Sequence, residues 1–194
     1  MGLTELIESG RWTTPPVSTT FDGEALRVVA AEGSDAWLTT SYGFVHDTEH
    51  ALLEEFGPED AVEVSFVLDY DRQFDQAGIL LRVSETEWIK AGVEVSDGVL
   101  QVGAVVTHGF SDWSVAPVPD WRGRIVTVRA SRSGDAVTVR AKAEGEEFRL
   151  VRVAYLSPTA VVTAGLFCCG PTRPGLEVTF TSHTRTPPDD ALHP

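Results

Sequence analysis

The sequence predicts an all-β domain, an antiparallel sandwich or barrel. Three observations carry this. About eleven short runs alternate apolar with polar residues or are rich in Val, Ile and Thr. Turn signals separate them: Phe21-Asp22-Gly23, Ser96-Asp97-Gly98, Ser133-Gly134-Asp135, Glu144-Gly145 and Gly170-Pro171. Strands do not alternate with long helical patterns, as a parallel sheet would require.

In chain order, residues 2–9 predict a short helix or turn, and 11–16 an extended lead-in. Strands are predicted over 25–31, 36–42, 61–70, 76–83, 87–95, 98–107, 124–131, 135–143, 147–154, 160–167 and 176–183. Two hairpins stand out, 87–107 through Asp97-Gly98 and 124–143 through Ser133-Gly134. Only TEHALLEEF, residues 48–56, has helical spacing, enough for one or two turns. With no internal repeat or linker, a single domain is expected over 1–186. The polar, Pro-rich tail 187–194 is expected to fray.

The chain has 194 residues, 42% hydrophobic, enough to bury a core without disulfide or metal staples. A net charge of −14 repels phosphate backbones and anionic membranes, so no nucleic-acid partner is expected. No window is long and apolar enough for a membrane span. Cys168 and Cys169 are neighbours, where a disulfide would be strained, so both are read as reduced, buried thiols. The start, MGLTELIESGRW, lacks a basic region followed by an apolar one. A cytoplasmic protein is the expectation.

Residues 74–94, FDQAGILLRVSETEWIKAGVE, say most about function. Side chains alternate faces along a strand. One parity gives Ala77, Ile79, Leu81 and Val83, then Ile89, Ala91, Val93 and Val95, then Leu100, Val102, Ala104 and Val106. These sets form a continuous apolar surface and are assigned to the core. The other gives Gln76, Gly78, Leu80 and Arg82, then Trp88, Lys90, Gly92 and Glu94, then Gln101, Gly103, Val105 and Thr107. It mixes polar groups with glycines, which remove bulk from mid-strand. A merely wet face also carries charge, and a Lys–Glu pair there is ordinarily a solvated contact. Such a face does not explain Trp88, nor the aromatic-polar run from Thr107 to Ser114 that follows.

The segments DAWLTTSYGFVHDTEHAL, FDQAGILLRVSETEWIKAGVE, VVTHGFSDWS and FRLVRVAYL occur in this order. Together they resemble the family of unknown function named for a regulation-of-enolase protein, in the concanavalin A-like lectin/glucanase superfamily. The resemblance covers roughly residues 12–182. It implies a jelly-roll sandwich of two antiparallel sheets, one face concave, but no established reaction. In the superfamily the concave face commonly binds glycans by aromatic stacking, and carboxylates carry out hydrolysis. The polar parity set would lie on that face.

The expected function is therefore binding of a small polar ligand, a carbohydrate or sugar-like metabolite. Gln76, Lys90, Glu94 and Thr107 would hydrogen-bond it, with Arg82 at the edge. Trp88, Trp113 and Tyr42 would supply stacking surface, Asp112 would accept from hydroxyls, and His46 and His108 would line the rim as proton carriers. Alternatively, Lys90 and Glu94 are catalytic, with burial moving both pKa values toward neutrality for isomerase or lyase chemistry. Glycoside hydrolysis needs two carboxyls about 5–10 Å apart. Glu94 has no same-strand partner, and the E-x-D-x-E strand typical of the superfamily's glucanases is missing. A third alternative, from the family's name, is a non-catalytic regulator of a metabolic enzyme. His46 and His50 have helical metal-ligand spacing, but no second-strand ligand is identifiable, so no metal or other cofactor is assigned. A homodimer is left open.

Overall fold

The computed structural model describes residues 2–193. After helix α1 (Leu3–Ser9) the chain is built from strands: β1 (Arg11–Trp12), β2 (Ser18–Phe21), β3 (Leu26–Val29), β4 (Ala36–Leu38), β5 (Val45–Asp47), β6 (His50–Phe56), β7 (Ala61–Val67) and β8 (Gln76–Ser84). There follow β9 (Glu87–Ser96), β10 (Val99–His108), β11 (Ser111–Pro117), a 3-10 turn at Pro119–Trp121, β12 (Ile125–Ser133), β13 (Ala136–Ala143), β14 (Arg149–Tyr155), β15 (Val162–Cys169) and β16 (Glu177–Thr186).

The strands form two seven-stranded antiparallel sheets, ordered β1-β6-β15-β8-β9-β10-β11 and β14-β13-β12-β7-β16-β3-β2. This is the expected jelly-roll sandwich. Between the sheets lies the main core, which includes Ile79, Leu81, Ile89, Val93 and Leu100 from the apolar parity set, facing Val64, Phe66, Val128 and Phe180. The hydrophobic effect thus fixes the register of β8–β10, because a one-residue slip would turn the polar set inward.

The remaining hairpin, β4–β5, forms its own two-stranded sheet and packs on the other, concave face of the first sheet. It clamps a second apolar cluster there: Trp37 and Leu38 from the flap meet Leu80, Trp88, Val105 and Phe167 from the sheet. The Leu38 amide donates to Ser111 Oγ at 2.9 Å, and Arg82 binds Asp47 through two bonds of 2.6 and 2.9 Å.

Three expectations are corrected. Residues 50–56 are strand β6, with almost every side chain buried. Leu52 and Phe56 enter the main core while Ala51 and Leu53 enter the cluster under the flap. A strand buried on both faces loses its alternation and imitates helical spacing. The aromatic-polar run after Thr107 is in large part strand β11. The tail is tethered: the Asp189 carboxylate accepts from Arg129 at 2.8 Å and from Arg140, and its amide donates to Ser131 Oγ at 2.8 Å.

Candidate functional site

The flap does not cover the whole concave face. Beside its apolar cluster lies a cavity of about 280 Å³. The floor is polar sheet surface, with Gln76, Lys90 and Glu94 from β8 and β9 and Trp113 from β11. Its other side is the flap, which contributes Asp35, Trp37, Tyr42, Phe44 and His46. The aromatic rings continue one another: Trp113 lies edge-on to Trp37 at 6.4 Å, Trp37 edge-on to Tyr42 at 5.5 Å, and Tyr42 stacks on Phe44 at 5.2 Å. Tyr42 and Phe44 remain exposed at 55% and 42%, so the rim is open to a ligand.

Glycine opens the floor. Gly78, Gly92 and Gly103 stand directly opposite one another on β8, β9 and β10. A Cβ on Gly92 would lie 2.0 Å from the Ala77 carbonyl oxygen, and one on Gly103 2.2 Å from that of Ser114. No side chain fits, and a water-sized recess of about 20 Å³ remains between Gly92, Gly103, Lys90, Glu94 and Trp113.

The electrostatics turn on Asp35. Its Oδ1 accepts from Lys90 Nζ at 2.8 Å, from Gln76 Nε2 at 3.4 Å and from the Ala36 amide at 2.8 Å. Burial of Lys90 pulls its pKa down, but the neighbouring negative charges, Asp35 foremost, outweigh this and leave it raised. Lys90 is therefore a fixed cation. Glu94 is different. Its Oε1 is buried with no hydrogen-bond partner. Burial lifts its pKa to about 7, against the lowering influence of Lys90. The pair does not move toward neutrality together; Glu94 alone does.

Of the residues singled out in the sequence, Gln76, Lys90, Glu94, Trp113, Tyr42 and His46 line this cavity. Five do not. Trp88 is 2% exposed, sealed in the apolar cluster beneath the flap. Thr107 is fully buried and bonds Ser111, the flap's anchor. Arg82 is taken by Asp47 and Glu49. Asp112 projects outward, 3.5 Å from Arg152, and His108 lies 3.5 Å from Glu87 near the hairpin tip. His50, the supposed helical partner of His46, accepts from the Ala31 amide through Nε2 and lies 3.0 Å from the Thr14 carbonyl through Nδ1. Sequence reasoning missed Asp35, noted only as a neighbour of Trp37, and Phe74, whose φ of 63° at the rim is unusual for a non-glycine residue.

Fold and site together define a concanavalin A-like sandwich with a lidded polar cavity on its concave face. Residues 12–188 match the family described as "Protein of unknown function (DUF1349)", and the chain belongs to that family. It is 34% identical over 188 residues to "Regulation of enolase protein 1" of Saccharomyces cerevisiae, covering 96% of this chain and 94% of that one. A solved structure, of a functionally unknown protein from Saccharomyces cerevisiae, superposes with a TM-score of 0.88 at 31% identity, covering 94% of this chain and 98% of that one. A xylan beta-1,4-xylosidase from Bacillus halodurans C-125 gives a TM-score of 0.66 at 15% identity, over 87% of this chain and 34% of that one, a likeness of fold alone. Among the described residues no helix is long and apolar enough to cross a membrane.

Proposed function

We propose that the protein binds a small polar ligand, a carbohydrate or sugar-like metabolite, in the cavity between the flap and the concave sheet. The observation that carries this is Glu94 Oε1, a buried acceptor without a donor in a cavity that also presents an aromatic wall. Leaving such a group unpaired is costly, and a ligand hydroxyl relieves the cost. Aromatic surface opposite a few polar groups suits the apolar and hydroxylated faces of a sugar ring. A volume near 280 Å³ suits one ring rather than a chain. Two buried free thiols accord with a cytoplasmic location.

The test is a thermal-shift screen of sugars, sugar phosphates and polyols, repeated on Lys90→Ala. A stabilising compound whose effect disappears in the variant supports the reading. Silence across the panel, with the cavity seen filled by a neighbouring protein surface, would sink it.

A second reading has its own support. A carboxyl with a pKa of about 7 is poised to exchange protons at neutral pH, so Glu94 suits a general acid or base acting on the bound ligand. Lys90, held protonated by Asp35, would then orient and polarise rather than accept a proton. Turnover lost in Glu94→Gln with binding kept would establish it. The name of the yeast relative supports a third reading, docking of a metabolic enzyme, for which the exposed flap residues Tyr42, Phe44 and Val45 are the nearest apolar surface.

A further inference from the structure

Resting on the binding reading, we infer that the ligand is an uncharged polyhydroxy compound, one hydroxyl of which occupies the recess between Lys90 and Glu94, and that sugar phosphates and sugar acids are excluded. The recess comes first. At about 20 Å³ it holds one water-sized group, because the glycine row leaves no side chain there. The same residues then lead outward into the larger cavity, where a ring would lie against Trp113.

The chemistry of the recess selects the group. Lys90 Nζ donates one N–H to Asp35 and has two left. Glu94 Oε1 needs a donor. A hydroxyl is the single group that accepts from the first and donates to the second. Phosphate or carboxylate oxygens only accept, so they would leave Glu94 unpaired and set like charges together. An ammonium only donates and would face Lys90.

Charge in the wider cavity points the same way. Lys90 is the sole Lys or Arg lining it, and Asp35 already neutralises it. His46 is the one other lining group able to become positive, and its ring lies edge-on to Phe44 at the wall. Gln76 gives its amide nitrogen to Asp35 and to the Phe74 carbonyl, so what it offers a ligand is a further acceptor. A cavity of spare acceptors with a compensated cation suits hydroxyl groups and penalises a buried anion.

The experiment is isothermal titration calorimetry on the full chain. The probes are neutral hexoses, pentoses and inositol, each set beside its phosphate, its uronic acid and its 2-amino analogue. The expected result is a neutral compound that binds, with its phosphate and acid at least about tenfold weaker. Glu94→Gln, checked for native circular dichroism, should weaken the neutral compound about 10- to 100-fold, as loss of a charge-assisted bond does. A phosphate, acid or amino sugar that binds as tightly as its neutral parent overturns the inference but leaves the site standing. Undiminished binding by Glu94→Gln does the same. If no compound of any class binds, both the inference and the binding reading fall.

Discussion

Lys90 directs its ammonium to Asp35 on the flap, 2.8 Å away, rather than to Glu94 four residues along its own strand. One ion pair therefore ties the cavity's lid to its floor. It also separates the two groups functionally, because Lys90 stays charged while Glu94 remains free to titrate.

Removing Asp35 should be expensive. Lys90 is almost wholly buried, and Asp35→Ala leaves it without a counter-charge. Breaking such a pair typically costs several kcal/mol, and since Asp35 is partly solvated we expect about 2–3 kcal/mol in urea denaturation. Replacing both members, as Asp35→Ala with Lys90→Met, should recover most of that loss. A double variant as unstable as the single one would mean that Asp35 acts through its Gln76 and Ala36 bonds instead.

Glu94 should oppose stability at alkaline pH. Its folded pKa, about 7, lies above the ordinary 4.5. Its protonation therefore favours the folded state below pH 4.5, and that stabilisation is lost as pH rises through 7. Glu94→Gln removes the buried charge, so the variant should be about 1–3 kcal/mol more stable than the parent at pH 8. The gap should close toward pH 5. Equal stability at both pH values would place Glu94 in water rather than in a buried site.

Parity alone recovered the core face of β8, β9 and β10, and it put Lys90, Glu94 and Gln76 together, because strand alternation is a local property. It could not tell what covers the other face. Trp88 has the right parity, yet the flap buries it, and that contact joins residues 37 and 88 across some fifty positions of chain. Asp35 was hidden for the same reason: a loop carboxylate has no periodicity to mark it. Residues 50–56 misled because both faces are buried, leaving the composition of a strand core without its alternation.

Gly92 is where the cavity floor and strand packing meet. Gly92→Ala would place a methyl group 2.0 Å from a backbone oxygen, which no rotamer change relieves. Overpacking of this kind costs about 1–3 kcal/mol when neighbours can shift, and here the obstacle is main chain, so the upper end or more is expected. Gly2→Ala, where nothing lies within 4 Å, is the control and should change stability little. Thermal unfolding of the two variants decides it, and a Gly92→Ala melt equal to the control's would show that the sheet can flex.

A final prediction concerns a titratable group far from the cavity. His183 on β16 is fully buried, and neither ring nitrogen has a hydrogen-bond partner. Glu54 Oε1 is its nearest acidic atom at 3.8 Å, too far for a hydrogen bond. Burial depresses the imidazole to about 4, so the folded state holds it neutral. The unfolded chain takes up a proton near pH 6.5, so the stability tied to neutral His183 is fully present above 6.5 and is lost as pH falls toward 4. That amounts to about 2 kcal/mol by pH 5. His183→Leu has nothing to protonate and abandons no hydrogen bond. It should match the parent at pH 7 within about 1 kcal/mol, since apolar replacement of an unpaired polar group is nearly neutral. It should then gain on the parent as the solution is acidified. Urea titrations of both proteins at pH 7 and pH 5 measure the difference directly. A constant gap between them would mean that His183 is already paired, through water or through movement of Glu54, and that the burial argument does not apply.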